Sequence, residues 1–373
     1  MRHRVSVVIP TCNRAAMVRL AVASALAQTH APMEVIVVID GPESSGHLSL
    51  SSQVVLDCIH DPRLRVLPLL ASVGGGEARN TGVRAASGDW IAFLDDDDLW
   101  LPGKLAAQLE YFDALEHPDT PGAHAPAAAR EPDARPHPAA ANDLAASRDS
   151  RAAVAGLTAA TSGGNFAASQ DVVLSCPVLA RSPQWEEQWP RLPYDPAEPL
   201  AEYLFCRRGW RYGDALLQTS TLLIPRRLLL RLPFTPGLRK HQDWDWLLRA
   251  AADPSVAIRC VGTTPLVVFH VEGERQSVGR VRDWHLSANW ALQRRHLFTP
   301  KALSAFFATE CAAQAQGMPW LERFALLRLA LTVAPVRLAN LVPLVVFLVL
   351  PQQTRRRLRD LVRPVPSAHR RPA

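Results

Sequence analysis

Residues 94–100 read LDDDDLW, four consecutive carboxylates directly behind the apolar run WIAFL. Neighbouring carboxylates disfavour one another's ionisation, so such a run is costly unless something positive meets it. A divalent cation would remove that cost. In an extended chain Asp95 and Asp97 point to one side and Asp96 to the other, so one pair could hold a metal while the residue between contacts something else. Mg2+ takes one or two protein carboxylates and fills its shell with water and phosphate oxygens, which points to a metal–diphosphate site. The plain alternative is a solvated acidic turn.

Three further places carry candidate chemistry. Asp40, ending VIVVIDG, could accept a hydrogen bond from a base or ribose, or simply begin a turn at Gly41. Arg79 in GGGEARN could pair with phosphate, or be a solvated helix residue. Gly74 to Gly76 fit neither G-x-G-x-x-G nor G-x-x-x-x-G-K-[ST], which excludes dinucleotide oxidoreductases and P-loop enzymes. In LRKHQDWDWLLRAA, Asp243 and Asp245 begin a predicted helix. Acids there suit the helix dipole, and one carboxylate within reach of a hydroxyl can also serve as general base. Trp244 and Trp246 could stack on sugar rings or lie in the core, and His270 at the end of PLVVFH is a weak metal-ligand candidate.

These residues need a scaffold that brings distant segments together. Short β-branched runs (5–11, 34–40, 64–70, 89–95) alternate with helical stretches (14–28, a glycine-led helix from 74, 102–115). That alternation predicts a mostly parallel sheet with helices on both faces, and such sheets bind ligands at the C-terminal ends of their strands. The acidic run, Asp40 and PTCNR all fall at such ends. A further strand signal appears at 171–180, another at 216–225 and another at 265–271, with a helix at 243–252 and a helical pattern from 282 onward. Pro102 suits a helix start, where its missing N–H costs nothing.

The 373 residues are nearly half apolar, the net charge is +6, and much of the excess is arginine near the C-terminus. No nucleic-acid-binding module accompanies it, so nucleic acid is excluded as a partner. The six cysteines form no Cys-x-x-Cys pair, which argues against zinc clusters and disulfide frameworks. Reduced thiols indicate a cytoplasmic chain, and the N-terminus lacks a signal peptide's length and cleavage site. Residues 117–168 are Ala/Pro-rich with few large apolar side chains, the composition of a disordered insert. LANLVPLVVFLVLP (338–351) is shorter than the roughly 20 residues that span a bilayer, and Pro343 interrupts it. With RRRLR (355–359) behind it, the segment 338–359 suits peripheral contact with an anionic membrane surface. The alternative is a buried core helix with a solvated basic tail.

Taken together, VSVVIPTCNR, QTHAPMEVIVVIDG and GGGEARNTGVRAASGDWIAFLDDDDLWLPGKL resemble, in order and spacing, the nucleotide-binding half of family 2 glycosyltransferases with the GT-A fold. QTSTLLIP and HQDWDWLLRAA continue the resemblance more weakly. It implies a GT-A domain, Rossmann-like with a mostly parallel sheet, followed by a helical tail. Its nucleotide-sugar half is residues 1–116 and its acceptor half 169–280, with the insert 117–168 between them and the helical region 281–373 behind. It implies a nucleotide-sugar donor, usually a UDP-sugar, with Pro10 and Thr11 against the nucleoside, Asp40 on the base and Arg79 near the nucleotide. Asp96 would reach the ribose. Asp97 would hold Mn2+ or Mg2+, with Asp95 completing the Asp-x-Asp pattern. Asp243 becomes the expected base and Asp245 the runner-up, with Gln242 where the family has Glu. Cys12 stands where an aromatic is usual, and Asp40 stands without the second acid.

The implied reaction is inverting transfer of one sugar to a saccharide or lipid-linked acceptor. Two alternatives stand beside it. A sugar nucleotidyltransferase shares the sheet and acidic ligands, but PTCNR lacks the lysine of its N-terminal loop. A non-catalytic nucleotide-sugar-binding protein would share the fold without the base.

Overall fold

The computed structural model of the chain describes residues 3–41, 52–117, 170–208, 213–271, 283–315, 317–333, 338–350 and 354. The Ala/Pro-rich stretch beyond His117 and the basic residues 355–359 lie outside the described residues.

Strands β1 (Val5–Thr11), β2 (Glu34–Ile39), β3 (Leu64–Pro68) and β4 (Trp90–Phe93) form where β-branched runs were expected. Side chains alternate across a strand, and both faces here are covered. Val8, Ile36, Val38, Ile91 and Phe93 enter one core cluster, and Val5, Val7, Ile9, Val35 and Val37 enter the other. Helix α1 (Ala15–Leu26) buries Val18, Ala21, Val22 and Ala25 at helical spacing on the second face. After α2 (Ser52–Asp57), α3 (Gly75–Ala85) covers the first face. It lies close because Gly82 has no side chain: a Cβ there would sit 2.4 Å from Val8 Cγ1. Helix α4 (Lys104–Glu116) starts two residues after Pro102, so that proline sits in the preceding turn rather than in the helix.

The remaining strands are β5 (Leu99–Trp100), β6 (Asp171–Ser175), β7 (Val178–Ser182), β8 (Trp185–Trp189), β9 (Leu223–Pro225), β10 (Val256–Cys260) and β11 (Val267–His270). The main sheet has the order β10-β6-β9-β4-β1-β2-β3, parallel except for β9. A second sheet, β5-β11-β7-β8, was not anticipated. It arises because the run 171–180 is two strands: Pro177 cannot donate to a ladder, and the chain leaves the first sheet there. The run 216–225 is likewise shorter than expected, a 3-10 turn at Thr219–Thr221 followed by three strand residues.

Helices α5 (Leu200–Phe205), α6 (Arg226–Arg231) and α7 (Gln242–Ala251) complete the α/β part. The tail is helical, as expected: α8 (Trp284–Gln293), then α9 (Pro300–Phe306) running through a π-helical turn (Phe307–Cys311) into α10 (Ala312–Gln314). Helices α11 (Trp320–Val333) and α12 (Leu338–Val349) follow. Helix α12 continues through Pro343, which does not end it. This is the expected α/β architecture, a mostly parallel sheet between helices with a helical tail. No described helix is long and apolar enough to cross a membrane, and none of the six cysteines forms a disulfide.

Candidate functional site

Strands β1, β2 and β4 run parallel, with Thr11 opposite Ile39 and Val8 opposite Phe93. Their C-terminal ends therefore share one edge, and the chain places Thr11, Asp40 and the acidic run along it. The run is not extended. Asp98 N–H donates to the Asp95 carbonyl at 3.1 Å, closing a turn. The expected alternation, with Asp95 and Asp97 on one side, is lost, and each carboxylate finds its own surroundings.

Asp95 accepts from Arg79 Nη2 at 2.5 Å and from the Thr219 hydroxyl at 3.0 Å. Asp96 is buried and accepts from the Thr11 hydroxyl at 2.7 Å and from Arg14 Nη1 at 2.8 Å. Asp97 lies 3.4 Å from the same Arg14 nitrogen, with its side chain 19% exposed. Asp98 is buried and accepts from Ser220 Oγ at 2.6 Å. Like-charge repulsion in the run is thus met by two guanidinium groups and three hydroxyls from the chain itself. The premise that the run needs a metal to relieve it falls. Burial pushes the Asp96 carboxyl up to about 6, against the Arg14 charge and the Thr11 hydroxyl.

The hydroxyls come from the 3-10 turn. Strand β9 is antiparallel to β4, with Leu223 opposite Ala92, so the residues just before β9 lie beside those just after β4. The second sheet contributes His270. Strand β11 pairs with β5, and His270 Nδ1 lies 3.0 Å from the Asp97 carbonyl. A carbonyl only accepts, so Nδ1 carries a hydrogen.

The chemistry of this donor set suits a hard cation. Among the described residues no group of three or more His, Cys, Asp and Glu forms a ready cage. Mg2+ and Mn2+ prefer carboxylate oxygens, and Mg2+ needs only one or two when phosphate supplies the rest. Asp97 fits that use. Asp95 does so less well, because it is drawn to Arg79.

Asp40 is buried beside Gly41, whose φ of +86° and absent Cβ let the turn lie against the Ser72 backbone. Its carboxylate accepts from the N–H groups of Val73 (2.6 Å) and Gly74 (2.9 Å) and from Ser72 Oγ (3.2 Å). The loop entering α3, where a dinucleotide fold would seat phosphate, here closes around the chain's own carboxylate. Pro10 is half-buried at the end of β1, and Thr11 is buried with its hydroxyl on Asp96.

Arg79 is buried and spans the two halves. Besides Asp95 it donates through Nη1 to Gln242 Oε1 at 2.9 Å, while Gln242 Nε2 donates to the Leu238 carbonyl at 2.7 Å. Gln242 is the first residue of α7, so Arg79 ties that helix to the acidic turn. Glutamate could not make the Leu238 bond, which gives the Gln at this position a local reason.

At the start of α7 the two candidate bases separate. Asp243 is half-buried, and its Oδ1 accepts the Trp244 N–H at 2.9 Å. Burial raises its pKa above the usual carboxylate value, with the Trp244 N–H and Arg79 opposing. Asp245 is fully buried and accepts from Thr235, Arg249, Arg294 and Trp290. Burial alone would raise its pKa, but these donors hold it below the usual value. Asp245 is a core node, which removes it as a base candidate. Trp246 is fully buried as well, and Trp244 is half-buried.

His241 precedes the helix in the left-handed region, φ 62°. Its ring stacks on Trp244 (centroids 4.9 Å, 9° between planes) and lies 4.7 Å from Trp290, and Nε2 meets Ser287 Oγ at 2.8 Å. Burial, helped by Lys240, pushes its pKa down to about 3. Sequence reasoning missed Arg14, Thr219, Ser220 and His241. Arg14 alone had a visible signal, as the basic residue closing PTCNR at a strand end.

Residues 6–124 match the model of the family described as Glycosyl transferase family 2. The succinoglycan biosynthesis protein ExoO of Rhizobium meliloti is 38% identical over 110 residues, 30% of this chain and 30% of that protein. The UDP-Glc:alpha-D-GlcNAc-diphosphoundecaprenol beta-1,3-glucosyltransferase WfgD of Escherichia coli is 36% identical over 107 residues, 29% of this chain and 40% of that one. The matched stretch thus spans well under half of either relative. Among solved structures, TarS 1-349 of S. aureus in complex with UDP-GlcNAc superposes with a TM-score of 0.48 at 15% identity, covering 92% of this chain and 79% of that one.

Proposed function

From the match of residues 6–124 to glycosyl transferase family 2 and the geometry of the site, we propose inverting transfer of one sugar from a nucleotide-sugar donor to a saccharide or lipid-linked acceptor. The observation that carries this is the tie from the acidic turn through Arg79 to the start of α7. It holds a donor edge and a half-buried carboxylate in one frame. UDP is the proposed nucleotide and polysaccharide assembly the setting, in line with the names of WfgD and ExoO.

Asp243 takes the proton of the acceptor hydroxyl. The new C–O bond forms at the anomeric carbon as the bond to the diphosphate breaks on the opposite face, and the nucleoside diphosphate leaves. A single displacement of this kind needs one base and no covalent intermediate, and its raised pKa suits a base working near neutral pH. Asp96 takes the ribose, Asp40 the base edge, and Pro10 and Thr11 flank the nucleoside. Arg79 serves the nucleotide by fixing Asp95. Asp97 would hold Mn2+ or Mg2+, which supplies positive charge for the diphosphate.

The tail is the proposed membrane contact. Helix α12 buries Leu344 and Leu348 but exposes Val342, Val345 and Val349, and α11 exposes Trp320, Leu321, Phe324 and Leu331. One helix face thus completes the core, and the other is the one we assign to a lipid surface.

A panel of nucleotide sugars incubated with the purified full chain, with and without acceptor extract, tests the reading through nucleotide release. Release that rises with acceptor is expected. Binding without any turnover would reduce the chain to a nucleotide-sugar-binding protein, and absence of both would overturn the reading.

A further inference from the structure

Arg14 meets two carboxylates to which the proposed mechanism gives separate tasks. Its Nη1 donates to Asp96 at 2.8 Å and lies 3.4 Å from Asp97 Oδ2. Asp96 is assigned to the ribose and Asp97 to the cation, so one guanidinium stands on both parts of the donor site. The charge of Asp95 acts on it as well.

The backbone of Arg14 is fixed, but its side chain is not enclosed. Its carbonyl accepts the N–H groups of Met17 and Val18, each at 3.0 Å, at the start of α1, and Asn13 before it turns through a φ of 55°. The Arg14 side chain is 24% exposed, against 6% for Asp96. A ligand arriving at this edge therefore meets the guanidinium before it meets Asp96. Asp96 also accepts from the Thr11 hydroxyl at 2.7 Å, so it keeps a donor when the guanidinium shifts.

A divalent cation on Asp97 would lie within a few ångströms of this guanidinium, and like charges that close repel strongly away from bulk water. The two therefore compete for Asp97. A diphosphate changes the balance, because it brings negative charge to both cations. A guanidinium fork matches phosphate as well as carboxylate. Arg14 can keep Asp96 through one nitrogen and meet a phosphate oxygen through another, which leaves Asp97 to the cation.

We infer that Arg14 binds the donor diphosphate and couples nucleotide to cation: without nucleotide it holds Asp97 against the cation, and with nucleotide it releases Asp97. The inference rests on the glycosyltransferase reading above. It adds a diphosphate-binding residue and an order to the site, in which the cation enters with or after the nucleotide.

Two titrations of the full chain test it without turnover: Mn2+ alone, followed by electron paramagnetic resonance, and a nucleoside-diphosphate panel in chelator, followed by calorimetry. Asp97→Asn is the blank for Mn2+ bound elsewhere. Arg14→Gln should bind Mn2+ about tenfold more tightly than the parent and nucleoside diphosphate about tenfold more weakly, within the usual range for coupled sites. The opposite signs separate this role from folding, since a variant that merely loosens the edge weakens both. Arg14→Lys keeps the charge but not the fork. It should hold Mn2+ near the parent's affinity and still weaken the diphosphate. If circular dichroism shows Arg14→Gln unfolded, Arg14→Lys decides, and unchanged diphosphate affinity there overturns the inference. Both affinities unaltered in Arg14→Gln, or both lowered in folded protein, overturn the role of Arg14 and leave the glycosyltransferase reading standing. A parent chain that takes up neither nucleotide nor Mn2+ overturns that reading, and the inference with it.

Discussion

The Arg79 guanidinium lies 2.5 Å from the Asp95 carboxylate, and its other arm reaches Gln242 at 2.9 Å. One side chain thereby joins segments 163 residues apart in the chain. Lysine could serve one of these acceptors but not both, because its charge is a point rather than a fork. Arg79→Lys should lower kcat about tenfold or more, roughly 1.4 kcal/mol in the barrier, while the chain remains folded by circular dichroism. Unchanged kcat in this variant would mean that the tie has no part in turnover.

Asp97 is the carboxylate of the run that we propose meets the donor diphosphate with its cation. Asp97→Asn should abolish the Mn2+- or Mg2+-dependent part of nucleotide affinity and leave thermal stability near that of the parent. Chelator should do the same to the parent chain. Full turnover in excess chelator would show that Arg14, 3.4 Å from Asp97, and its neighbours manage the leaving group without metal.

Strands β1 to β4 were legible because each is an unbroken apolar run ended by a turn residue, and the acidic run was legible because its residues are consecutive. The partners were not. Arg14 and Asp96 are 82 positions apart, and Ser220 and Asp98 are 122 apart. Only the antiparallel insertion of β9 next to β4 brings the latter pair together, and a three-residue strand leaves little periodicity to read. Asp40 before Gly41 reads as a turn in either case. What its carboxylate does depends on Ser72, Val73 and Gly74, which arrive from another connection. Asp243 and Asp245 look alike in sequence, and tertiary donors from α8 and the loop before α7 tell them apart.

His241 gives the stability a pH dependence. Its folded pKa is about 3 against roughly 6.5 unfolded, so between these values the unfolded chain binds the extra proton. Stability from this group is therefore present above about pH 6.5 and is lost as pH falls toward 3, at up to about 1.4 kcal/mol per pH unit. Asn tolerates the left-handed backbone, and His241→Asn should flatten the loss of melting temperature across this window. An identical pH profile for the variant would assign the acid sensitivity to other groups.

Leu321 and Phe324 project from α11 with 83% and 62% exposure. Moving such side chains from water into lipid is worth roughly 1.5–3 kcal/mol each at full burial. Leu321→Ser with Phe324→Ser should release the chain from anionic phosphatidylglycerol vesicles in a sedimentation assay, and deletion of residues 336–373 should do so further. Equal partitioning of parent and variants would leave these helices to the core alone.

Asp243→Asn keeps the shape of the side chain and removes the proton acceptor. General-base assistance is typically worth about 10²–10⁴ in rate, and kcat should fall by that factor. Nucleotide affinity should hold, because the donor edge depends on Asp95 to Asp98 and on Arg79, whose bond is to Gln242 rather than Asp243. Asp245→Asn should behave differently. It leaves Arg249 and Arg294 facing a neutral group in the core, and breaking a buried pair typically costs about 3–5 kcal/mol. The expected signature is a large fall in melting temperature with kcat per folded molecule little changed. Near-normal kcat in Asp243→Asn, measured on protein that still binds nucleotide, would place the base on another residue.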